Sequence, residues 1–291
     1  MSLALISALS RLLESDDGVS VSKLSLKQRQ ALEEFKSRTH AIAIKRKGRG
    51  ISYCVSDQII VEQQLKSLSP DWAQGAMLAA PQRAQNISRT RSSKIGRHQH
   101  DYVYMLLRSV HPGTSWQNAQ GLILDMYAET RRTGAITLMI GNPLCDDWHT
   151  HGELWLIENQ ALFDDLSWLP KRDVSTTVLW YRGQLPKLLI QWLSKKQRAS
   201  KVILFPDYDG VGLHNYVRLR RSLGEQCEFW LMPNWQEKLL KYGDNLLWQN
   251  SKSDLEAALS FMSMQHQLDL LALIKMMQHS GLALEQEVVF L

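Results

Sequence analysis

Three acidic residues stand where apolar runs end in the second half of the chain. Asp207 and Asp209 come shortly after the run KVILF. Glu158 is the second-last residue of the run ELWLIEN. Charges at the tip of a buried strand cost free energy unless a cation meets them. If the chain stays extended, the i, i+2 spacing lets both aspartates point the same way. Three converging carboxylates repel one another, so the pattern predicts a hard divalent cation such as Mg²⁺.

The two glycines after the aspartates allow a functional and a structural interpretation. Gly210 and Gly212 would permit a tight turn and the close approach of a phosphate, or of a backbone, to a helix N-terminus. In the structural alternative, the aspartates are a helix N-cap and a turn residue. Glu158 on a second strand end favours the functional interpretation, because capping alone does not require it.

The elements that must position these acids alternate between strands and helices. Strand-like runs are separated by helix-like segments, in the order ELWLIEN, QALFDDLSWL, STTVLWY, QLPKLLIQWLSKK, KVILF, GLHNYVRLRRSL and CEFWLMP. This alternation predicts an α/β fold with a parallel sheet flanked by helices. Ligands of open parallel sheets bind beyond the carboxyl ends of the strands, which is where the three acids fall.

The segments before and after this alternation have less regular patterns of apolar residues. DYVYMLLRSV and TSWQNAQGLILDMYAETRR are helix-like, and AITLMI is strand-like. After residue 234 the chain is predicted to be helical, with Ser253 and Glu256 forming a capping box before the last long helical run.

The first 69 residues predict a helix, a turn, a second helix and a hairpin. Ser25 and Gln28 form a capping box for the second helix, and KRKGRG joins the strands HAIAI and ISYCV. This order is typical of a winged helix, in which the wing contacts DNA phosphates. The cations predicted to contact DNA at the tip are Lys45, Arg46, Lys47 and Arg49. The alternative is a solvated basic turn on an unrelated small α+β unit.

Residues 70 to 98 are predicted to be a basic linker. No acidic residue occurs between Trp72 and His100, whereas Arg89 and Arg91 belong to a set of cations there. Such a strap could follow a nucleic-acid backbone or serve only as a solubilising linker. The predicted domains are therefore 1–69, 70–98 and 99–291.

Composition narrows the function classes. The 291 residues include 34 Lys and Arg against 29 Asp and Glu, a net charge of +5 that hints weakly at a polyanionic partner. Three widely spaced cysteines make a disulfide framework improbable and fit a reducing cytoplasm. The apolar N-terminus is interpreted as an amphipathic helix, and no membrane span is expected. No Walker lysine loop and no dinucleotide glycine motif occurs, so any ATP hydrolysis would come from a partner.

The stretch CDDWHTHGE invites a zinc interpretation through Cys145, His149 and His151. A fourth ligand at regular spacing is missing. The sequence therefore favours a segment that simply leads into the strand before Glu158.

Glu158 at one strand end and DYDGVG at another resemble a Toprim domain, the catalytic unit of topoisomerases, primases and some nucleases. Three further stretches resemble motifs of one branch of that family: ENQALF (Glu158, Asn159, Phe163), YRGQLP (Gly183, Pro186) and LEQE (Glu285, Gln286, Glu287). The likeness covers about residues 150 to 291. It is closer to the branch that contains the topoisomerase VI A subunit and the DUF2220-type nuclease subunit of Wadjet SMC-like plasmid-defence systems.

The resemblance implies cleavage of double-stranded DNA with Mg²⁺ or Mn²⁺. Asp207 and Asp209 would hold metal, and Glu158 would bind a second metal or act as general acid/base. Glu287 could add an outer ligand, or it could have a structural role. The implied partners are a second copy of the chain, an SMC-like ATPase and kleisin-type subunits. Arginines 218, 220 and 221 are interpreted mainly as a solvated helix face.

Two alternatives to a hydrolytic nuclease remain from the resemblance. Topoisomerase VI attacks DNA with a tyrosine on its winged-helix domain, and Tyr102, Tyr104 and Tyr53 are the candidates here. Tyr104 is predicted to pack in a core, and its stretch lies outside the predicted winged helix, which favours water as the nucleophile. The other alternative is a catalytically inactive DNA-binding or assembly subunit, which would have no need for three mutually repelling acids.

Overall fold

A computed structural model describes residues 2–47, 50–72, 80–95, 102–141, 147–171, 173–262 and 268–291. The chain divides into two compact units, Met1–His100 and Asp101–Leu291. Both combine helices with a β-sheet, and the larger unit carries a mixed sheet flanked by helices.

The first unit packs helices against a small antiparallel sheet. Its elements are α1 (Ser2–Leu13), β1 (Val19–Ser20), α2 (Leu26–Thr39), β2 (Ile42–Lys47), β3 (Gly50–Val55), α3 (Gln58–Leu68) and α4 (Gln82–Thr90). The strand order is β1-β3-β2. Leu9, Leu32, Phe35 and Val61 are fully buried where the apolar faces of the first three helices meet the sheet.

The predicted capping box at the start of α2 is confirmed. The Gln28 amide N–H donates to Ser25 Oγ at 3.3 Å, and the Ser25 amide N–H donates to Gln28 Oε1 at 2.9 Å. The two side chains thereby satisfy backbone donors that the first helical turn leaves free.

The stretch predicted as a linker contains helix α4, so it is not linker throughout. The buried face of α4 is polar: Asn86 and Thr90 are buried, and Thr90 Oγ1 donates to the Asn86 carbonyl at 2.7 Å. The usual sequence signal of a packed helix is an apolar stripe. Helix α4 buries polar residues instead, so its sequence does not predict a packed helix.

The second unit is built around a six-stranded sheet of order β11-β10-β8-β9-β4-β7. Its elements are β4 (Val103–Arg108), β5 (Ser115–Gln117), β6 (Ile123–Asp125), α5 (Met126–Thr133), β7 (Ile136–Ile140), β8 (Glu153–Ile157), α6 (Gln160–Asp164), β9 (Thr176–Trp180), α7 (Lys187–Lys195), β10 (Lys201–Phe205), α8 (Gly210–Leu223), β11 (Cys227–Phe229), α9 (Trp235–Tyr242), α10 (Asn245–Met262) and α11 (Leu268–Ser280). The predicted alternation of strands and helices from β8 to β11 is confirmed.

The prediction of a purely parallel sheet is wrong. Strands β8, β9, β10 and β11 are parallel, but β4 pairs antiparallel with both β9 and β7. The stretch predicted as a helix around β4 is a strand, in which Met105 and Leu107 are buried and Tyr104 is exposed. The segment from Thr114 to Arg132 is also not one helix, since it contains the hairpin β5–β6 before α5.

The predicted capping box at Ser253 and Glu256 is wrong as well. Helix α10 begins at Asn245, so both residues lie inside it. The cap is supplied earlier by Asp244, whose Oδ1 accepts the Leu247 amide N–H at 2.7 Å. Within the described ranges, none of the helices is both long and apolar enough to cross a bilayer.

Candidate functional site

The sheet register brings the ends of three neighbouring strands to one edge. In β8, Ile157 lies opposite Phe205 of β10 and opposite Trp180 of β9. Glu158 therefore leaves its strand beside the segment that carries Asp207 and Asp209. We call Glu158, Asp207, Asp209 and Glu287 the acidic edge.

The C-terminal segment joins this edge through hydrogen bonds. Tyr208 and Leu284 form a β-bridge, and the Gln286 amide N–H donates to Asp207 Oδ1 at 2.8 Å. Asn159 Nδ2 donates to Glu287 Oε2 at 2.7 Å. The motifs ENQALF, DYDGVG and LEQE, which are far apart in sequence, thus meet at one place in the structure.

Asp209 and the two glycines after it have structural roles at the start of α8. Asp209 caps α8, because its Oδ1 accepts the Gly212 amide N–H at 2.7 Å. A Cβ at Gly210 would collide with the Ser251 carbonyl of α10, and one at Gly212 with the carbonyl of Asp207. The glycines are therefore needed for close packing of the protein's own backbone. The capping role accounts for Asp209 but leaves Asp207 and Glu158 unexplained.

Three carboxyl groups of the acidic edge, those of Glu158, Asp207 and Asp209, have raised pKa values. Burial, together with the nearby charges of Asp207 and Asp209, raises the pKa of Glu158 to about 8. Burial raises the pKa of Asp207 to about 7 and that of Asp209 to about 6, against the opposing effect of backbone N–H donors. The edge therefore holds protons near neutral pH that isolated carboxyl groups would have released.

The donor set has the chemistry of a hard divalent cation, which prefers carboxylate oxygens. A cation would offset both the mutual repulsion and the desolvation that raise these pKa values. In the described part of the chain, however, no group of three His, Cys, Asp or Glu side chains is already arranged to hold a metal ion. Metal binding would therefore involve rotation of at least one carboxylate.

We expect Mg²⁺ to stabilise the protein at pH 8 and much less at pH 5. The pKa values of Glu158 and Asp207 are raised in the folded state to about 8 and about 7. Between about pH 4 and these values, the folded state therefore binds more protons than the unfolded chain does. Stability contributed by these groups consequently falls as the pH rises through that window, and a cation replaces the lost protons. Thermal unfolding should show a midpoint raised by about 2 to 4 °C at pH 8 with Mg²⁺ about tenfold above its Kd. If Mg²⁺ raised the unfolding midpoint equally at pH 5 and pH 8, the acidic edge would not be the site where it binds.

Sequence reasoning missed the aromatic and cationic neighbours of Glu158. The Trp180 Nε1–H donates to the Glu158 carbonyl at 2.7 Å, and the Tyr181 hydroxyl donates to Glu158 Oε2 at 3.3 Å. Burial raises the pKa of Tyr181 well above its ordinary value, so the hydroxyl stays protonated and can donate. The Arg182 guanidinium carbon lies 4.4 Å from the centroid of the Trp180 ring.

Arg182 has a backbone conformation that non-glycine residues rarely adopt. Its φ is 57°, and that of the following Gly183 is 71°. A left-handed arginine is strained relative to the common regions, and such positions are found disproportionately at functional sites. The glycine of the YRG turn was visible in the sequence, but the strained arginine before it was not.

The predicted DNA-binding cations belong to the first unit, whereas the acidic edge belongs to the second. Lys45 and Arg46 are exposed on β2 and Lys47 ends that strand, whereas Arg49 lies outside the described residues. Arg89 is exposed on α4, and Arg91 follows it and donates to the Lys66 carbonyl at 3.3 Å.

The helix after the aspartates is not a uniform basic face. Arg220 is buried, pairs with Glu225 and donates to the Cys227 carbonyl at 2.8 Å, so it has a structural role there. Arg218 donates to Asn215 Oδ1 at 3.1 Å, and Arg221 is exposed.

The three candidate tyrosines differ in accessibility. Tyr53 is buried and donates to Glu33 Oε1 at 2.6 Å, and burial raises its pKa to about 12, which disfavours it as a nucleophile. Tyr102 and Tyr104 are 45% and 62% exposed, so the prediction of a core position for Tyr104 is wrong. Leu106 lies opposite Trp180 in the antiparallel β4–β9 pair. The beginning of β4 therefore lies at the end of the sheet where β9 ends, which is also the end that carries the acidic edge.

Comparison with known families gives one match. Residues 145–291 match the family described as a domain of unknown function, DUF7281, which is just over half of the chain. The matched region starts before β8 and includes the whole acidic edge. A comparison with curated proteins found no match. The chain belongs to the DUF7281 family.

Proposed function

We propose that this protein is a Mg²⁺-dependent endonuclease that hydrolyses double-stranded DNA. The observation that carries the proposal is the acidic edge, where half-buried Glu158 and Asp207, both with raised pKa values, and buried Asp209 meet at the carboxyl end of a parallel strand set. Purified protein should nick or cut plasmid DNA with Mg²⁺ or Mn²⁺ and lose this activity with EDTA. The Toprim resemblance of the same residues supports this choice among metal-dependent reactions.

Backbone donors hold the two aspartates in place for metal binding. The N–H groups of Gln286 and Gly212 each bind one carboxylate oxygen, of Asp207 and Asp209 respectively. These two residues and Glu158 would hold the ion, with Glu287 as an outer ligand oriented by Asn159. Bound Mg²⁺ would neutralise charge that develops on the scissile phosphate and orient the attacking and leaving oxygens.

If Asp207 and Asp209 alone hold the ion, Glu158 is suited to proton transfer instead. A carboxyl group whose pKa lies at about 8 is partly protonated near neutral pH, so it can accept or return a proton in that range. The Tyr181 hydroxyl donates to Glu158 Oε2 and so fixes the direction of that carboxyl group.

Arg182 supplies a cation for the phosphate backbone beside the acids. The guanidinium is stacked on Trp180, which preorganises it, and in the described part of the chain no carboxylate pairs with it. Since DNA is a polyanion, an acidic edge needs cations nearby to prevent repulsion of the substrate.

The architecture of the first unit favours a role in binding duplex DNA. Its order of helix, short strand, helix and basic hairpin, with the sheet order β1-β3-β2, resembles a winged helix whose wing is the β2–β3 tip. The exposed Lys45 and Arg46 would then contact phosphates, together with Lys47, Arg49 and the arginines of and after α4.

Two of the motifs also bear on the partners of the protein. The LEQE and ENQALF likeness to the nuclease subunit of Wadjet systems supports a cytoplasmic homodimer that works with an SMC-like ATPase and kleisin-type subunits. Affinity purification from the native host should recover such an ATPase, and recovery of the chain without any ATPase would count against this setting but not against the nuclease.

The exposed position of Tyr104 leaves a second candidate function, that of a topoisomerase VI-like tyrosine transesterase. An exposed tyrosine at the same end of the sheet as the acidic edge could attack a phosphate and remain joined to the DNA end. Water leaves free ends instead, and the nuclease-branch motifs favour water.

We therefore expect Tyr104→Phe and Tyr102→Phe to keep cutting DNA at a rate within about threefold of wild type, because each removes only a hydroxyl from an exposed side chain. The check is plasmid cleavage followed by denaturation and phenol extraction, in which no protein should remain on the DNA. Covalent protein on the DNA ends, lost in either variant, would establish the transesterase instead. A protein that binds DNA and Mg²⁺ but never cuts it would correspond to the inactive assembly subunit.

A further inference from the structure

Two histidines outside the acidic edge aim their ring nitrogens at one atom. His149 Nε2 and His151 Nε2 both lie 3.1 Å from Gln117 Nε2. The two imidazole rings are 6.0 Å apart and nearly perpendicular. The Gln117 amide has two hydrogens and can donate one to each ring, so both Nε2 atoms present lone pairs toward the same point.

The backbone holds this arrangement rigidly. Gln117 and His149 form an antiparallel bridge, with N–H to carbonyl distances of 2.9 Å in both directions. His149 and His151 are two positions apart, and both rings contact the Gln117 side chain from the same segment. Thr150 between them is anchored through its Oγ1, which donates to the Ser115 carbonyl at 2.8 Å.

A further contact favours the tautomer that a metal requires. His149 Nδ1 lies 3.4 Å from the Asp147 carbonyl. If Nδ1 carries the proton and points it at this carbonyl, Nε2 is left as the lone-pair nitrogen. Metal-ligating histidines almost always have their other ring nitrogen held in this way.

We propose that His149 and His151 form a binding site for a transition-metal ion of the Zn²⁺ class. Each Nε2 would move about 1 Å toward the shared point to reach a normal Zn–N distance. The Gln117 side chain would rotate to present its carbonyl oxygen, or would give way to water, as the remaining ligands. Nitrogen ligands select Zn²⁺, Cu²⁺ or Ni²⁺ over Mg²⁺, so this site differs in chemistry from the acidic edge.

The two sites are also separate in space. The histidines precede β8, whereas Glu158 follows it, and the five residues of this strand span about 17 Å. An ion at the histidines would tie the β5 strand to the segment that enters β8. The inference does not depend on the proposed nuclease activity.

The test is a calorimetric titration of Zn²⁺ into the untagged full chain at pH 7.5 with excess Mg²⁺ present. We expect binding that weakens at least about tenfold in His149→Ala and in His151→Ala. The matched control His279→Ala, an exposed histidine on α11, should bind as wild type does. Asp207→Asn should also bind Zn²⁺ normally, which separates this site from the acidic edge.

The pH dependence gives a second readout. Zn²⁺ affinity should fall as the pH is lowered, because protons compete with the metal for the imidazole nitrogens. His151 is exposed, so its alanine variant should fold, as circular dichroism can verify. Absence of Zn²⁺ binding by the wild type, or unchanged binding in both histidine variants, would overturn the proposal.

Discussion

Asp207→Asn should reduce Mg²⁺-dependent DNA cleavage at least about a hundredfold while the fold stays intact. The asparagine Oδ1 can still accept the Gln286 amide N–H, which now lies 2.8 Å from the aspartate oxygen. What the variant loses is the negative charge, and with it the affinity for a cation. Since burial disfavours that charge and raises the pKa of Asp207 to about 7, the metal-free variant should be at least as stable as wild type at pH 8.

The control for this variant is Asp173→Asn, the same chemical change at an exposed aspartate just before β9, at the opposite end of that strand from the acidic edge. It should cleave as wild type does. Cleavage is measured as conversion of supercoiled plasmid to nicked and linear forms over time with Mg²⁺. Full activity of Asp207→Asn would remove this residue from the site, whereas equal loss in both variants would indicate a nonspecific effect of charge.

Removal of the basic hairpin tip should weaken DNA binding about tenfold or more and flatten its dependence on salt. The variant replaces four cations with alanine: Lys45, Arg46, Lys47 and Arg49. The slope of log affinity against log salt should fall by about one for each replaced cation that contacts a phosphate, because fewer counterions are released. Fluorescence anisotropy with duplex DNA across a series of salt concentrations measures both quantities.

A charge-matched control separates local contact from a general loss of positive charge. The control replaces four exposed cations of the second unit with alanine: Arg131, Arg132, Lys252 and Lys275. It should keep most of the affinity and salt slope of wild type. If the two quadruple variants behave alike, the hairpin tip is not a specific DNA contact.

The strand ends that carry the acids could be predicted because parallel topology determines where they lie. Once ELWLI and KVILF are assigned as parallel neighbours, Glu158 and Asp207 must leave the sheet at the same edge. Each strand is a short buried run of mostly apolar residues, and its regular alternation with helix-like segments favours a strand. The capping box at Ser25 could be predicted for a similar reason, since its interactions are local.

Other features depend on contacts between residues far apart in sequence. A short apolar run such as VYMLLR fits a strand or a helix turn equally well, and only its pairing with β7 and β9 makes it a strand. The contact between Gln286 and Asp207 joins residues 79 positions apart. The strained conformation of Arg182 has no sequence signature, because most arginines avoid positive φ.

The most direct test of the central claim, that the acidic edge binds a divalent cation, is Mn²⁺ uptake at pH 8 followed by loss of the free-ion EPR signal. It needs neither DNA nor a partner subunit. We expect wild type and Asp173→Asn to take up Mn²⁺ equally, and Asp207→Asn to bind it at least about tenfold more weakly. Equal uptake by wild type and Asp207→Asn, or no uptake by wild type, would contradict the claim.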